Sequence, residues 1–330
     1  MAQYWQKTLT NGELKMYKEK SICVVVPVYN ESTQIEKVIQ TMPEFVDKIV
    51  VVDDASQDDT VEIVNRHQHE NNKIVIIQHK ANQGVGGAIS SGYKWARDNE
   101  CAVTAVMAGD GQMEPSELEK IIKPIVEGSA DYVKGNRLFY GDAWRMIPHY
   151  RYLGNSFLSL LTKVASGYWH IADSQSGYTA ISLVALKRIK LDAIYKDYGM
   201  PNDLLIKLNQ HDFRVRDIHI RPVYNVGEKS GIKLRKVIPK ISWLLFKGFW
   251  RRLFFKYVIR DFHPLIFFYL LSFILIGLSF PLAFRLFYIW IIRSDIPDMN
   301  ALALIFTLIS GLQTLFFGMW FDMEYNKNLK

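Results

Sequence analysis

The chain has 330 residues, is 49% hydrophobic with a mean hydropathy of zero, and carries a formal net charge of +7. That length exceeds one average domain, and the apolar share is high for a soluble enzyme. Its two cysteines, Cys23 and Cys101, sit inside apolar strand-like runs, which excludes a disulfide framework or a thiolate metal site and suits a reducing compartment.

Met1 to Lys20 is polar and mixed in charge, without the apolar core or cleavage pattern of a signal peptide. Ser21 to Pro27 is a β-branched run that ends in Pro27-Val28-Tyr29-Asn30-Glu31-Ser32, and a helical pattern follows to about Thr41. Ile49 to Val52 ends in Asp53-Asp54-Ala55-Ser56 before a helix over Thr60 to His67. Ile74 to Gln78 leads through Asn82-Gln83-Gly84-Val85-Gly86-Gly87 into a helix over Ala88 to Arg97. Ala102 to Val106 leads through Ala108-Gly109-Asp110-Gly111-Gln112 into a helix over Ser116 to Val126, and Asp131 to Lys134 precedes Gly135-Asn136-Arg137. Regular alternation of strand and helix predicts right-handed crossovers and a parallel sheet, with all the polar loops on one edge. That edge is where open α/β sheets bind ligands.

The residue types at that edge suggest chemistry. Asp110 and Gln112 offer oxygen donors suited to Mg²⁺ or Mn²⁺ and its attached phosphates, a turn or helix cap being the other reading. Asp53 and Asp54 end a strand where carboxylates can accept from ribose hydroxyls or base N–H groups, an N-cap being the alternative. Gly84, Gly86 and Gly87 precede a helix and can bring backbone N–H groups toward phosphate. A dinucleotide fingerprint would place G-x-G-x-x-G directly after the first strand, where Pro-Val-Tyr-Asn-Glu stands, so a Rossmann oxidoreductase is disfavoured.

The C-terminal third is different. Ile238 to Tyr257 interleaves cations with Trp243, Phe246, Phe249, Trp250 and Phe254, the pattern of a helix lying at a membrane interface. Two apolar segments follow, about 264–292 and 301–322, each long enough to cross a hydrocarbon core of about 30 Å. Ten Lys and Arg residues lie between Lys229 and Arg260, against Arg293, Asp295 and Asp298 between the spans. The basic side is expected to face the cytoplasm, making this an integral protein of the inner or an equivalent membrane with its catalytic domain on the cytoplasmic side. Membrane anchoring accounts for much of the net charge, and no nucleic-acid partner is required. The expected domains are 1–235, an interfacial segment 236–262 and a transmembrane hairpin 263–330; self-association into a homo-oligomer through the spans is compatible with this layout.

Pro27 to Glu31, Val51 to Ser56, Asn82 to Ala88, Asp110 to Gln112 with Pro115, and Gly135 to Arg137 resemble the ordered motifs of the GT-A family 2 glycosyltransferases, and within them the dolichyl- or polyprenyl-phosphate sugar synthases. Asp173 to Tyr178 is similar to the family's Asp-x-x-Ser-Gly-Phe element, and Gly227 to Lys233 to its basic loop. The resemblance implies a Rossmann-like, mostly parallel α/β fold that binds a UDP- or GDP-hexose through Pro27, Tyr29, Glu31, Asp53, Asp54 and Gly84. It implies Mg²⁺ or Mn²⁺ on Asp110 and Gln112, the acceptor phosphate on Arg137, Arg151 and Ser176, and catalytic roles for Asp110, Arg137 and Lys229. The family's Asp-x-Asp-x-Gln here has Ala108 for its first Asp, which leaves more of the metal's coordination to diphosphate oxygens or water. Processive synthases carry Gln-x-x-Arg-Trp, which is lacking here. The implied reaction is single inverting transfer of glucose, mannose or N-acetylglucosamine to a polyprenyl phosphate. Transfer to a glycolipid or protein is the alternative, with a non-catalytic membrane scaffold, suggested by Ala108, as a third. Asp203 is a further candidate carboxylate, or the cap of the helix Leu204 to Gln210.

Overall fold

The computed structural model describes residues 17–138, 144, 147, 149–223, 234–294 and 296–330. The chain forms two compact units, residues 1–248 with 329–330, and residues 249–328.

The first unit is built on one sheet. Its strands are β1 (Ile22–Val28), β2 (Lys48–Asp53), β3 (Ile74–Gln78), β4 (Val103–Val106), β5 (Tyr132–Asn136), β6 (Thr179–Ser182) and β7 (Val215–His219), in the order β3-β2-β1-β4-β6-β5-β7. Four of the six pairings are parallel; β6 pairs antiparallel with both β4 and β5. β6 therefore runs against the other six, and the sheet is mixed but mostly parallel. This reversal was not visible in the β-α alternation, which stops at β5. It has a consequence for the site: the start of β6, preceded by Asp173 to Gly177, meets the same edge as the ends of its neighbours.

Burial on both faces explains why the strands read as continuous apolar runs rather than alternating ones. Every residue of β1 is buried. Ile22, Val24, Val26 and Val28 join one core with α1 (Ile35–Gln40), α2 (Thr60–Glu70) and α4 (Leu118–Val126), through residues such as Ile35, Val64 and Ile121. Cys23 and Val25 face the other core, with Tyr93 of α3 (Val85–Asp98) and, after α5 (His149–Ser166) and α6 (Leu183–Arg188), Leu204 of α7 (Met200–Gln210). Period-2 alternation along one strand thus feeds two layers of helices. Both cysteines are buried packing residues, as expected.

α8 (Leu234–Phe254) is followed by a π-helical segment, Phe255–Arg260. Exposed Trp243 stacks on exposed Phe246 at 5.6 Å, with Lys247 Nζ 5.0 Å from the Trp243 ring. Arg252 and Lys256, read from the sequence as part of the basic belt, turn inward instead. In the second unit Arg252 is bidentate to Asp322 at 2.8 and 3.0 Å, Tyr257 Oη donates to the same carboxylate, and Lys256 Nζ donates to Asn326 at 2.8 Å. All five side chains are buried, and a buried charge needs such partners. Two long helices complete this unit: α9 (Leu265–Arg293) and α10 (Asp298–Tyr325), both long and apolar enough to cross a membrane.

Candidate active site

The loops after β1 and β2 are laced together. Asp53 is buried at the end of β2, and both its oxygens lie 3.3 Å from the Ser56 amide. Ser56 Oγ accepts from the Asn30 amide at 2.9 Å, Asn30 Oδ1 accepts from the Gln57 amide at 2.8 Å, and Thr60 Oγ1 accepts from the Glu31 amide at 2.9 Å. These bonds hold Pro27, Tyr29, Glu31 and Asp53 at the carboxyl edge of two adjacent strands, with Tyr29 46% exposed and able to lie against a ligand.

Asp54 is committed differently. Its Oδ1 accepts the Gln83 amide and its Oδ2 the Gly84 amide, both at 2.8 Å, and His79 Nδ1 lies 2.7 Å from Oδ1. His79 Nε2 in turn lies 2.8 Å from Ser91 Oγ on α3. The Gly86 and Gly87 amides donate to the Lys196 carbonyl at 2.9 and 3.2 Å. The glycine loop therefore satisfies its N–H groups internally, and Asp54 anchors it to β2. Gly84 has φ +83°, and a Cβ there would meet the Lys196 oxygen at 2.5 Å, so only glycine fits.

β4 delivers the metal candidates. Met107 and Gly109 amides donate to Val25 and Pro27 carbonyls at 3.0 and 3.3 Å, and a Cβ on Gly109 would meet Val28 Cγ1 at 2.5 Å. This close approach sets Asp110 beside the end of β1. The Gln112 amide donates to Asp110 Oδ1 at 3.0 Å, closing a tight turn. Burial, then the charges of Asp110 and Asp58, push the Glu31 carboxyl up to about 7. Asp110 and Gln112 carry a carboxylate and an amide oxygen, donor types that fit a hard divalent cation. Among the described residues no group of three or more His, Cys, Asp or Glu could hold a metal, so a cation here would take much of its coordination from phosphate oxygens or water.

The third part of the edge lies around β5 and the start of β6. Arg137 leaves β5 and meets the fully buried Asp173: Nε to Oδ2 is 2.8 Å, Nη2 to Oδ1 is 3.2 Å, and the Arg137 amide also donates to Oδ2. Burial opposes ionisation of Asp173, but the charge and hydrogen bonds of Arg137, with Lys134 behind, hold the carboxyl below its ordinary range. Lys134, buried within β5, donates to the Ser176 carbonyl at 2.7 Å; burial pushes it down to about 8 against the pull of Asp173 and Asp217. Asp217 on β7 accepts from the Ala172 amide at 2.9 Å and from Asn136 Nδ2 at 2.8 Å. The 172–176 loop is thus fastened by groups from two strands. Gln112, Arg137, Ser176 and Arg221 line one small cleft at this edge.

Of the residues read from the sequence, Gln112, Arg137 and Ser176 meet in that cleft. Asp203 is buried against Lys207 and accepts the Tyr195 amide at 3.0 Å, which gives it a part in holding the loop before α7. Arg151 belongs to α5, but its side chain is outside the described residues, as is the whole of Lys229. Sequence reasoning missed Lys134, Asp217, His79 and Arg221. Only Lys134 left a signal, a lysine between Val133 and Gly135 in a strand buried throughout.

The chain is similar to known proteins. The family described as Glycosyl transferase family 2 matches residues 23–190. The UDP-N-acetylglucosamine–dolichyl-phosphate N-acetylglucosaminyltransferase of Methanococcus voltae is 31% identical over 219 residues, 62% of this chain and 87% of that protein. The undecaprenyl-phosphate mannosyltransferase of Micrococcus luteus is 26% identical over 229 residues, 67% of this chain and 93% of that one. In fold the chain is similar to the glucosyl-3-phosphoglycerate synthase of Mycobacterium tuberculosis, solved with Mn²⁺ and UDP, with a TM-score of 0.51 at 17% identity over 71% of this chain and 80% of that one.

Proposed function

The chain belongs to glycosyl transferase family 2, and from that premise we propose that it moves one hexose from a UDP- or GDP-sugar to a polyprenyl or dolichyl phosphate at a membrane, with inversion. It is a glycosyltransferase. The observation that carries it is the convergence of Gln112, Arg137 and Ser176 in one cleft, with Arg137 fixed by a buried carboxylate. A guanidinium held by its Nε edge carries further N–H donors on Nη1 and Nη2, and such a positive group is suited to a phosphate. Relatives named for dolichyl- and undecaprenyl-phosphate transfer support the choice of acceptor.

A lipid phosphate is largely dianionic near pH 7, its second pKa being about 6, so it attacks without a strong base. One of its oxygens forms a bond to the anomeric carbon while the bond to the diphosphate breaks, and the electron pair leaves on the diphosphate. Tyr29, Glu31 and Asp53 hold the nucleotide at the ends of β1 and β2, and Asp54 with Gly84 keeps the adjoining loop in place. Arg137, Ser176 and Arg151 hold the attacking phosphate in line. Asp110 and Gln112 would hold Mg²⁺ or Mn²⁺, which when bound neutralises charge on the departing diphosphate. Lys229 would add a second positive charge there.

The helices α9 and α10 anchor the chain in the membrane, and the aromatic and basic face of α8 lies at its cytoplasmic surface, where the acceptor phosphate is found. In this scheme residues 1–235 carry the chemistry, 236–262 lie at the interface and 263–330 form the hairpin. The test is to incubate the purified chain with polyprenyl phosphate and single nucleotide sugars, and to look for a charged glycolipid by mass spectrometry. Products only on glycolipid or protein acceptors would refute the proposed acceptor.

A further inference from the structure

Among the described residues, one face of α10 is exposed and carries a regular repeat. Leu302, Ile309, Phe316 and Met323 recur every seven residues, and Phe306, Gln313 and Trp320 form a second series offset by four. These are the d and a positions of three successive heptads. The six apolar members are 45 to 64% exposed, and Gln313 is exposed with them. Ile309, Gln313, Phe316 and Trp320 border a groove that runs along the helix.

The opposite face is already taken. A Cβ on Gly311 would meet Ile276 of α9 at 2.8 Å, and one on Gly318 would meet the Tyr269 ring at 3.4 Å, so these glycines seat α10 on its hairpin partner. Gln313 is two residues, about 200° around the helix, from Gly311. It therefore points away from α9, near the midpoint of a 28-residue helix.

We propose that this face of α10 is the interface of a parallel homodimer, in which Gln313 of one copy exchanges hydrogen bonds with Gln313 of the other. The inference rests on the membrane reading of α9 and α10 above. In hydrocarbon an amide at mid-span has no water to satisfy its N–H₂ and C=O groups, and an isoprenoid or acyl chain offers neither donor nor acceptor. A second Gln offers both. Two copies inserted with the same topology have parallel α10 helices, so a two-fold axis along the membrane normal brings each a and d residue opposite its own equivalent. Gln313 then meets Gln313, flanked by layers of Ile309 and Phe316. A single polar a residue in an otherwise apolar seam is the device that sets register and strand number in parallel helix pairs.

The test uses the full chain, fluorescently labelled, in phosphatidylcholine–phosphatidylglycerol vesicles, with copies counted by single-molecule photobleaching over a range of protein-to-lipid ratios. Dimers are expected, with Gln313→Leu weakening self-association about tenfold and Gln313→Asn retaining most of it. Oxidation should cross-link Ile309→Cys and Phe316→Cys into dimers. Leu308→Cys, outside the seam, and the wild type, whose two cysteines are buried, should stay uncrosslinked. Monomers at every density, equal cross-linking at position 308, or unchanged association of Gln313→Leu would overturn the proposal. So would loss of the cross-links on adding polyprenyl phosphate, which would give the groove to the isoprenoid chain. Alkaline carbonate extraction separates the two levels: a chain released from the vesicles refutes the membrane reading itself, whereas a retained monomer refutes only the dimer.

Discussion

Replacing Asp173 with Asn perturbs the contact that holds Arg137, the residue proposed above to bind the acceptor phosphate. The carboxylate is fully buried and accepts from Arg137 Nε at 2.8 Å, from Arg137 Nη2 at 3.2 Å, and from the Arg137 and Gln175 amides at 3.2 Å each. Asparagine keeps the volume but turns one acceptor into a donor and leaves the guanidinium without its countercharge. Removing one partner of a buried pair costs about 3–5 kcal/mol, and the partial solvent access of Arg137 places the expected loss near about 3 kcal/mol. For a unit of this size that lowers Tm by roughly 6–12 °C. Because the folded-state pKa of Asp173 lies below its unfolded value, its stabilisation is complete above about pH 4 and is lost as the pH falls through the folded value. The gap between wild type and variant should be full at pH 7 and narrow in acid. Thermal unfolding in detergent, followed by tryptophan fluorescence at pH 7 and at about pH 3.5, measures this directly. If Arg137 holds the acceptor phosphate as proposed, the acceptor KM should rise about tenfold while the donor KM holds. A variant that unfolds with the wild type at pH 7 and keeps its acceptor KM would show that Asp173 neither stabilises the fold nor positions Arg137.

Lys134→Met removes the donor to the buried Ser176 carbonyl and should cost about 1–3 kcal/mol, with a weaker acceptor KM. Its pKa of about 8 lies below the unfolded lysine value, so this residue makes wild-type stability rise with pH between about 8 and about 10, a slope the variant should lack in unfolding scans. Asp217 behaves oppositely: burial, with Asp173 adding to it, raises the carboxyl to about 6 against the Ala172 amide, Lys134 and Asn136. Its folded state holds the proton more tightly than the unfolded one, so its share of stability falls as pH rises from about 4 to about 6, and Asp217→Asn should flatten that interval. Gly84→Ala places a Cβ 2.5 Å from the Lys196 oxygen at a positive φ; it should destabilise by about 1–3 kcal/mol and raise the donor KM more than the acceptor KM.

The central fold was legible because β1 to β4 are short, β-branched and each followed by a helical repeat, so periodicity alone orders them. The loop residues at their ends were legible for the same reason: a strand end fixes which edge Asp53, Asp110 and Arg137 share. What lay beyond that reading depends on contacts between distant segments. β6 offers four residues and no following crossover signal, so its reversed direction is set by pairing with β4 and β5. Asp54 read as a nucleotide ligand, yet its oxygens serve residues about 30 positions away. Arg252 and Lys256 looked like surface cations because their partners, Asp322 and Asn326, lie 70 residues further on. Local pattern carries direction and edge, whereas the partner of a buried charge is known only once the chain has closed on itself.

Sugar transfer to a polyprenyl phosphate can be measured directly. Purified chain is incubated with polyprenyl phosphate and one UDP- or GDP-sugar at a time, with Mn²⁺ or Mg²⁺ or with EDTA, and the lipid fraction is analysed by mass spectrometry. A charged glycolipid made from one donor with the anomeric configuration inverted, formed with metal, lost in EDTA and reduced at least about a hundredfold by Asp110→Asn, is the predicted result. A chain that binds the nucleotide sugar yet glycosylates no polyprenyl phosphate from any donor would contradict it.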